Sequence, residues 1–137
     1  MQILYQRTVT IWNHLDGGTW ERETWYPTVI RHARLMITKG NARLRSGLET
    51  ADSARLHISD EISEPDKPYI DPISWKSAPS SYYTLDEGSF FTDGDTSSED
   101  SDMDNFFEHM ERKYPLCFRI STADRFEVIP HFEVFGR

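Results

Sequence analysis

Thr8-Val9-Thr10-Ile11-Trp12-Asn13 decides the reading of this chain. Val9 and Ile11 share one face of an extended backbone, and Thr8, Thr10 and Trp12 share the other, because successive strand side chains point to opposite sides. Asp16-Gly17-Gly18 then supplies a turn, Trp20 to Tyr26 leads out of it, and a second, long strand follows from Thr28 to about Thr38. In that strand Val29, Ala33, Leu35 and Ile37 point one way, interrupted by Arg31. Ile30, His32, Arg34 and Met36 point the other, the period of a half-buried antiparallel strand. The chain builds a meander before it offers a helix, which at this length points to a small barrel or sandwich.

Working outward, Lys39 to Asp52 is polar, with Gly40, Gly47, Lys39, Arg43 and Arg45, and reads as a long excursion between strands. Ser53 to Ser59 is the next strand, with Ala54, Leu56 and Ile58 inward. Asp60 to Pro68 is a loop rich in acid and proline. Tyr69-Ile70-Asp71-Pro72 is extended, since a residue before proline avoids the helical region, and Ile73-Ser74-Trp75 starts one helical turn that Pro79 stops. Tyr82 to Leu85 reads as a short strand, Asp86-Glu87-Gly88 as a turn, and Ser89 to Thr92 as a further strand. Met103, Phe106, Phe107 and Met110 form a stripe at helical spacing. They predict one principal helix over Met103 to Tyr114, with acids at its start, Arg112 and Lys113 at its end and Pro115 after it. Leu116 to Ser121 and Phe126 to Val128 are expected as a strand pair across a turn at Thr122-Ala123-Asp124-Arg125, and His131 to Phe135 as the last strand. The expected fold is mainly β: one domain over residues 1–137, a small antiparallel β-barrel or sandwich with one principal α-helix near the C-terminus.

The apolar share of 37% is low for a self-sufficient globule, whereas the aromatic share of 13% is high. Trp, Tyr and Phe must therefore carry much of the core, with some of that surface suited to partners. A formal net charge of -8 argues against binding phosphate backbones or anionic membranes. No apolar run approaches the roughly 20 residues of a spanning helix, and Met1 to Arg7 has no signal-peptide core. Cys117, the single cysteine, lies between Leu116 and Phe118 and reads as a buried thiol.

No catalytic constellation follows. Asp93-Gly94-Asp95-Thr96-Ser97-Ser98 has a superficial likeness to a calcium loop, but an EF-hand needs Gly sixth and Glu twelfth, where this chain has Ser98 and Asp104. The acidic segment Asp93 to Asp104, with Asp93, Asp95, Glu99, Asp100, Asp102 and Asp104, reads instead as a solvated loop. The five histidines, His14, His32, His57, His109 and His131, show no metal-ligand spacing. His32 and His57 are the one pair that neighbouring strands would bring together. Gly17-Gly18 lacks the lysine of a phosphate loop. The expectation is a protein that is not an enzyme and has no catalytic residue, cofactor or metal.

The order of features resembles small neck proteins of tailed phages and prophages, head-tail connectors of the head-closure (stopper) kind. The likeness is carried by Thr8-Val9-Thr10-Ile11-Trp12-Asn13, Trp25-Tyr26-Pro27-Thr28-Val29-Ile30-Arg31, Ala54-Arg55-Leu56-His57-Ile58 and Tyr69-Ile70-Asp71-Pro72 followed by Trp75. Tyr83-Thr84-Leu85 ahead of Gly88-Ser89-Phe90-Phe91, and Pro130-His131-Phe132-Glu133-Val134-Phe135-Gly136, complete it. The acidic stretch Asp93 to Asp104 departs from the pattern, which has a short connection there. The resemblance implies a small β-barrel with an added helix and a homo-oligomeric ring between portal or adaptor and tail. Such a ring closes the head after packaging, docks the tail terminator or tail-tube protein, and lets genomic DNA pass without specific binding. It implies synthesis in the host cytoplasm, residence in the virion neck and no membrane. The acidic segment would face the DNA channel or solvent, where like charges repel the duplex and allow sliding. Lys39, Arg43, Arg45, Asp60 and Glu61 belong to the candidate subunit or docking loops, and the three basic residues could pair with the acidic segment across a subunit boundary. Two alternatives stay open: a tail terminator, and an acidic binding module or inhibitor that mimics nucleic acid.

Overall fold

The computed structural model describes residues 6–16, 24–38, 53–128 and 130–137. Strand β1 (Arg7–Leu15) pairs antiparallel with β2 (Thr24–Thr38), and β2 passes on to β3 (Ser53–Ser59). Next to β3 lies β7 (His131–Gly136), followed by β6 (Cys117–Phe126) and β5 (Phe90–Asp93). β5 returns to β1. Among the described residues these six antiparallel strands close a barrel, so the choice between barrel and sandwich falls to the barrel. A two-residue strand, β4 (Glu64–Pro65), adds to β2. Helix α1 (Pro72–Trp75) is the single turn expected there, begun by Asp71, whose carboxylate accepts from the Ser74 N–H at 2.9 Å. Helix α2 (Phe106–Lys113) is the principal one and starts later than the apolar stripe suggests, after Asn105 in the left-handed region at φ 57°. The Gly17 to Glu23 connection and the Lys39 to Asp52 excursion lie outside the described residues.

The strands obey period 2 and therefore bury two cores. Val9 and Ile11 of β1, Phe91 of β5 and Phe118 of β6 point into the barrel with Leu56 and Val134. Trp12, Phe90 and Cys117, from the same three strands, point outwards and are covered by Phe106, Phe107 and Met110 of α2. Trp12 meets Phe106 edge-on at 4.8 Å between centroids, a favoured aromatic geometry.

Three local expectations are corrected. In β2 the alternation breaks at a bulge. Arg7 pairs with Ala33 but Val9 with Ile30, so β2 holds one residue more than β1 over that span, with His32 in the left-handed region at φ 59°. The extra residue puts Ile30 and Ala33 on the same, inner face, although uninterrupted alternation separates them. Thr122 to Arg125 is not a turn: β6 runs through it, pairing with Phe135 to Phe132 of β7. A register shift between Ile120 and Thr122 interrupts the sequence pattern without reversing the chain, and the reversal falls after Phe126. Tyr82 to Leu85 forms no ladder beyond one parallel bridge from Tyr83 to Tyr69. The fully buried Asn13 side chain takes its place, donating to the Thr84 carbonyl at 2.7 Å and accepting from the Thr84 N–H at 3.1 Å. An amide group here does the work of a neighbouring strand.

Gly136 sits where β7 meets both Ala54 of β3 and Ile120 of β6. A Cβ there would lie 2.9 Å from Phe118 Cβ and from Phe91 Cε1, and 3.1 Å from the Arg119 carbonyl oxygen. Gly136→Ala is expected to destabilise the protein by about 1–3 kcal/mol through overpacking. Denaturant unfolding measures this, and an unchanged midpoint would mean that the closure is looser than the packing indicates.

Candidate functional site

Three surface features bring chemistry-bearing residues together. The first is the acidic segment, and it is not a free loop. Its Thr96 is 3% exposed. The Thr96 N–H donates to Thr10 Oγ1 at 2.9 Å, the Trp12 indole N–H donates to Thr96 Oγ1 at 2.9 Å, and the Thr92 and Thr96 hydroxyls are hydrogen-bonded to each other at 2.8 Å. The segment is thereby pinned to the outer face of β1 and β5, while Asp95, Asp100, Asp102 and Asp104 remain exposed. Asp93 pairs with Arg7 at 2.7 Å. Glu99 reaches α2: its carboxylate accepts from Lys113 Nζ at 2.7 Å and from the Tyr114 hydroxyl. The Lys113 ammonium, helped by that hydroxyl, holds the Glu99 carboxyl below its ordinary range. Asp95 and Asp100 are engaged locally, accepting the N–H groups of Ser97 and Asp102. The expectation of a solvated loop is thus corrected in its backbone and kept in its exposed carboxylates.

The second feature is a cleft of about 420 Å³ lined by Ser63, Tyr69, Tyr83, Phe132, Asp60 and Arg125. Arg125 grips Asp60 with two parallel hydrogen bonds, the longer 2.6 Å, and lies over the Phe132 ring at 4.7 Å. The guanidinium holds the Asp60 carboxyl below its usual range, and burial pushes the Tyr83 hydroxyl up, so it stays protonated. Asp60 is therefore spent on an internal pair. Glu61 beside it is exposed and its N–H donates to Ser59 Oγ. Lys39, Arg43 and Arg45 lie outside the described residues.

The third feature was not found from the sequence. His57 on β3 stands directly opposite Glu133 on β7, and His131 lies two residues before Glu133 on the same face. His131 Nε2 is 3.0 Å from Glu133 Oε2, and His57 Nε2 is 3.9 Å from Glu133 Oε1. The imidazole rings stack at 5.4 Å, and Phe126 stacks on His131 at 4.9 Å. Burial, reinforced by Arg34 and Arg55, lowers the His57 pKa, and the hydrogen bond from His131 lowers that of Glu133. At neutral pH His57 is a neutral imidazole and Glu133 a carboxylate. His32 and His57, the pair sequence neighbourhood suggested, are not brought together: His57 faces Arg34, and His32 reaches Glu64 at 3.8 Å. The spacing His131-Phe132-Glu133 on a strand was a signal, but only the β3–β7 register supplies the third partner.

Cys117 is buried, and burial pushes its thiol up to about 12, which keeps it protonated. No described helix is long and apolar enough to cross a membrane.

The fold places the protein in a structural class, small closed antiparallel β-barrels with one principal surface helix. Within that class the chain belongs to a family of unknown function, DUF6751, whose model matches residues 4–137. No curated protein and no solved structure matches the chain.

Thr96→Val keeps the shape of the pinning residue and removes its hydroxyl, leaving the buried Trp12 N–H without an acceptor. The expected cost is about 1–3 kcal/mol, read by denaturant unfolding together with faster proteolysis within Asp93 to Asp104. Glu99→Gln tests the second tether. Because the folded pKa of Glu99 is depressed, its contribution is present above the ordinary Glu value of about 4.3 and is lost as pH falls through the lower folded value. The substitution should lower the melting temperature at pH 7 by a small amount only, because solvent around Lys113 screens the pair. The gap between the two proteins should close as pH falls below the ordinary Glu range, and a gap independent of pH would place the effect elsewhere.

Proposed function

We propose that this protein is a structural component of a tailed-phage or prophage neck, of the head-closure kind. Copies of it form a ring between portal or adaptor and tail that retains packaged DNA and presents the docking site for the tail terminator or tail-tube protein. It is made in the host cytoplasm and resides in the virion. It performs no catalysis.

The observation that carries this reading is the fold beneath the resemblance. The stretches that resemble neck proteins lie on strands β1, β2, β3, β5 and β7 of one closed barrel, and on the α1 turn and the segment anchored by Asn13. The principal helix is late, between β5 and β6, which favours head closure over a tail terminator with helices distributed earlier. The barrel interior is filled by Phe91, Phe118 and their neighbours, so a DNA conduit has to run between copies around a ring axis and not through the barrel. The nucleic-acid-mimic alternative loses ground because Asp93 and Glu99 are neutralised within the chain.

The test is a virion reconstruction with the gene intact and deleted in the phage or prophage that carries it. Particles lacking the protein are expected to package DNA, leak it and fail to join tails. Normal tailed, infectious particles without it would end the neck reading.

A further inference from the structure

We propose that His57, His131 and Glu133 form a binding site for a divalent transition metal ion of the zinc class on the outer face of strands β3 and β7. The inference is independent of the neck reading and rests on geometry.

Zinc takes imidazole nitrogen and carboxylate oxygen at about 2.0–2.2 Å in tetrahedral sites. That geometry separates neighbouring ligand atoms by roughly 3.3 Å. In this protein one candidate ligand atom from each of the three residues lies within 4.8 Å of the other two, and the two carboxylate oxygens of Glu133 face one imidazole each, Oε2 at 3.0 Å from His131 Nε2 and Oε1 at 3.9 Å from His57 Nε2. Small side-chain rotations bring them onto one ion. The backbone already fixes the arrangement. His57 and Glu133 are directly opposed across an antiparallel ladder, and His131 is the diagonal neighbour of His57. Phe126, opposite His131 across the β6–β7 ladder, stacks flat on its ring and limits its rotation.

A second observation points to a ligand. His57 Nε2 is shielded from solvent and has no hydrogen-bond partner among the described residues. Buried polar atoms are rarely left so, and an ion is one recognised explanation. Coordination would satisfy this atom. The side chains of His57, His131 and Glu133 are 14%, 16% and 22% exposed, so the cluster opens to solvent along its rim. Two histidines and one carboxylate select zinc, copper(II), nickel or cobalt over magnesium and calcium, which prefer all-oxygen shells. Three protein ligands leave the fourth position to water or to a donor from a docked molecule. Arg34, opposite His57 across the β2–β3 ladder, and Arg55 both act on His57 electrostatically. Their repulsion is opposed by the Glu133 carboxylate within the shell.

The full chain, stripped with chelator and dialysed into metal-free buffer, is titrated with zinc chloride in a calorimeter. One ion per chain with a micromolar or tighter Kd is expected, together with a rise in melting temperature at saturation. Cobalt(II) should give the intense visible absorption of a tetrahedral site. His57→Ala and the near-isosteric Glu133→Gln should each weaken binding at least ten-fold, while His32→Ala should leave it unchanged. Glu133→Gln keeps the test decisive should His57→Ala unfold. Absence of stoichiometric binding, or equal affinity in the wild type and Glu133→Gln, would overturn the site. Virion assembly is not read in this experiment, so its result stands apart from that of the gene deletion.

Discussion

The structure depends on strand β1 being buried on both faces at once. One face supplies Val9 and Ile11 to the barrel interior; the other supplies Thr10 and Trp12 to the layer between barrel and helix. That second layer needs its polar atoms satisfied, and Thr96 does it. It accepts from the Trp12 indole, is hydrogen-bonded to the Thr92 hydroxyl and donates its N–H to Thr10. Without the pinned segment, the outer face of β1 and β5 would lose the acceptor for its indole as well as part of its cover. Barrel, acidic segment and α2 are therefore one cooperative unit, joined through a cluster that is mostly aromatic. This also bears on the composition: the barrel interior is mostly aliphatic, with Tyr83, Phe91, Phe118 and Phe132 among it, and the high aromatic share goes largely to the second layer of Trp12, Phe90, Phe106 and Phe107.

The legible parts of the fold were those governed by local periodicity. The inward faces of β1 and β3, the turn at Asp71 to Trp75 and the α2 stripe all follow from residue spacing, because each element decides its own buried side. What was not legible is what one segment decides for another. The bulge at His32 is set by the β1–β2 register, and no residue type near it announces an extra position. The run Thr122 to Arg125 looks like an interruption because the register shift after Ile120 changes which side chains face inward, while its hydrogen bonds to β7 continue. Tyr82 to Leu85 has strand-like residues, yet Asn13 had already claimed the amide and carbonyl of Thr84. The histidine–carboxylate cluster shows the same limit: its members lie on strands far apart in sequence, and only the ladder makes them neighbours.

The charge pattern sharpens under the same view. A net charge of -8 suggests a uniformly repelling surface. Instead Asp93, Glu99, Asp60 and Asp66 each hold a basic partner, from Arg7, Lys113, Arg125 and Arg31 in turn. These pairs are partly exposed, and each contributes little to stability. Their effect is positional: they tie loops to strands and α2 to the acidic segment. Asp95, Asp100, Asp102 and Asp104 form one exposed acidic run, while Glu61, Glu64, Glu87, Glu108, Glu111, Asp124 and Glu127 are exposed elsewhere along the chain.

Barrel closure also limits how copies of the chain can meet. An open sheet assembles by adding strands at its edge; among the described residues each of the six barrel strands has a neighbour on both sides over part of its length, while Thr24 to Val29 of β2 pair only with β1 and Thr122 to Phe126 of β6 pair only with β7. β4 is a two-residue strand that includes Pro65, and proline cannot donate to a ladder. In the ring proposed above, continued sheet would be confined to these short stretches, and side chains and loops would supply the other contacts. Among the described residues the exposed large apolar side chains fall in two places: Tyr69 and Ile73 around the α1 turn, and Phe126 and Val128 around the end of β6. Contacts so dispersed bury little apolar area in any one place. Assembly would then draw on several contact points around each copy, as a closed ring provides by giving every subunit two neighbours.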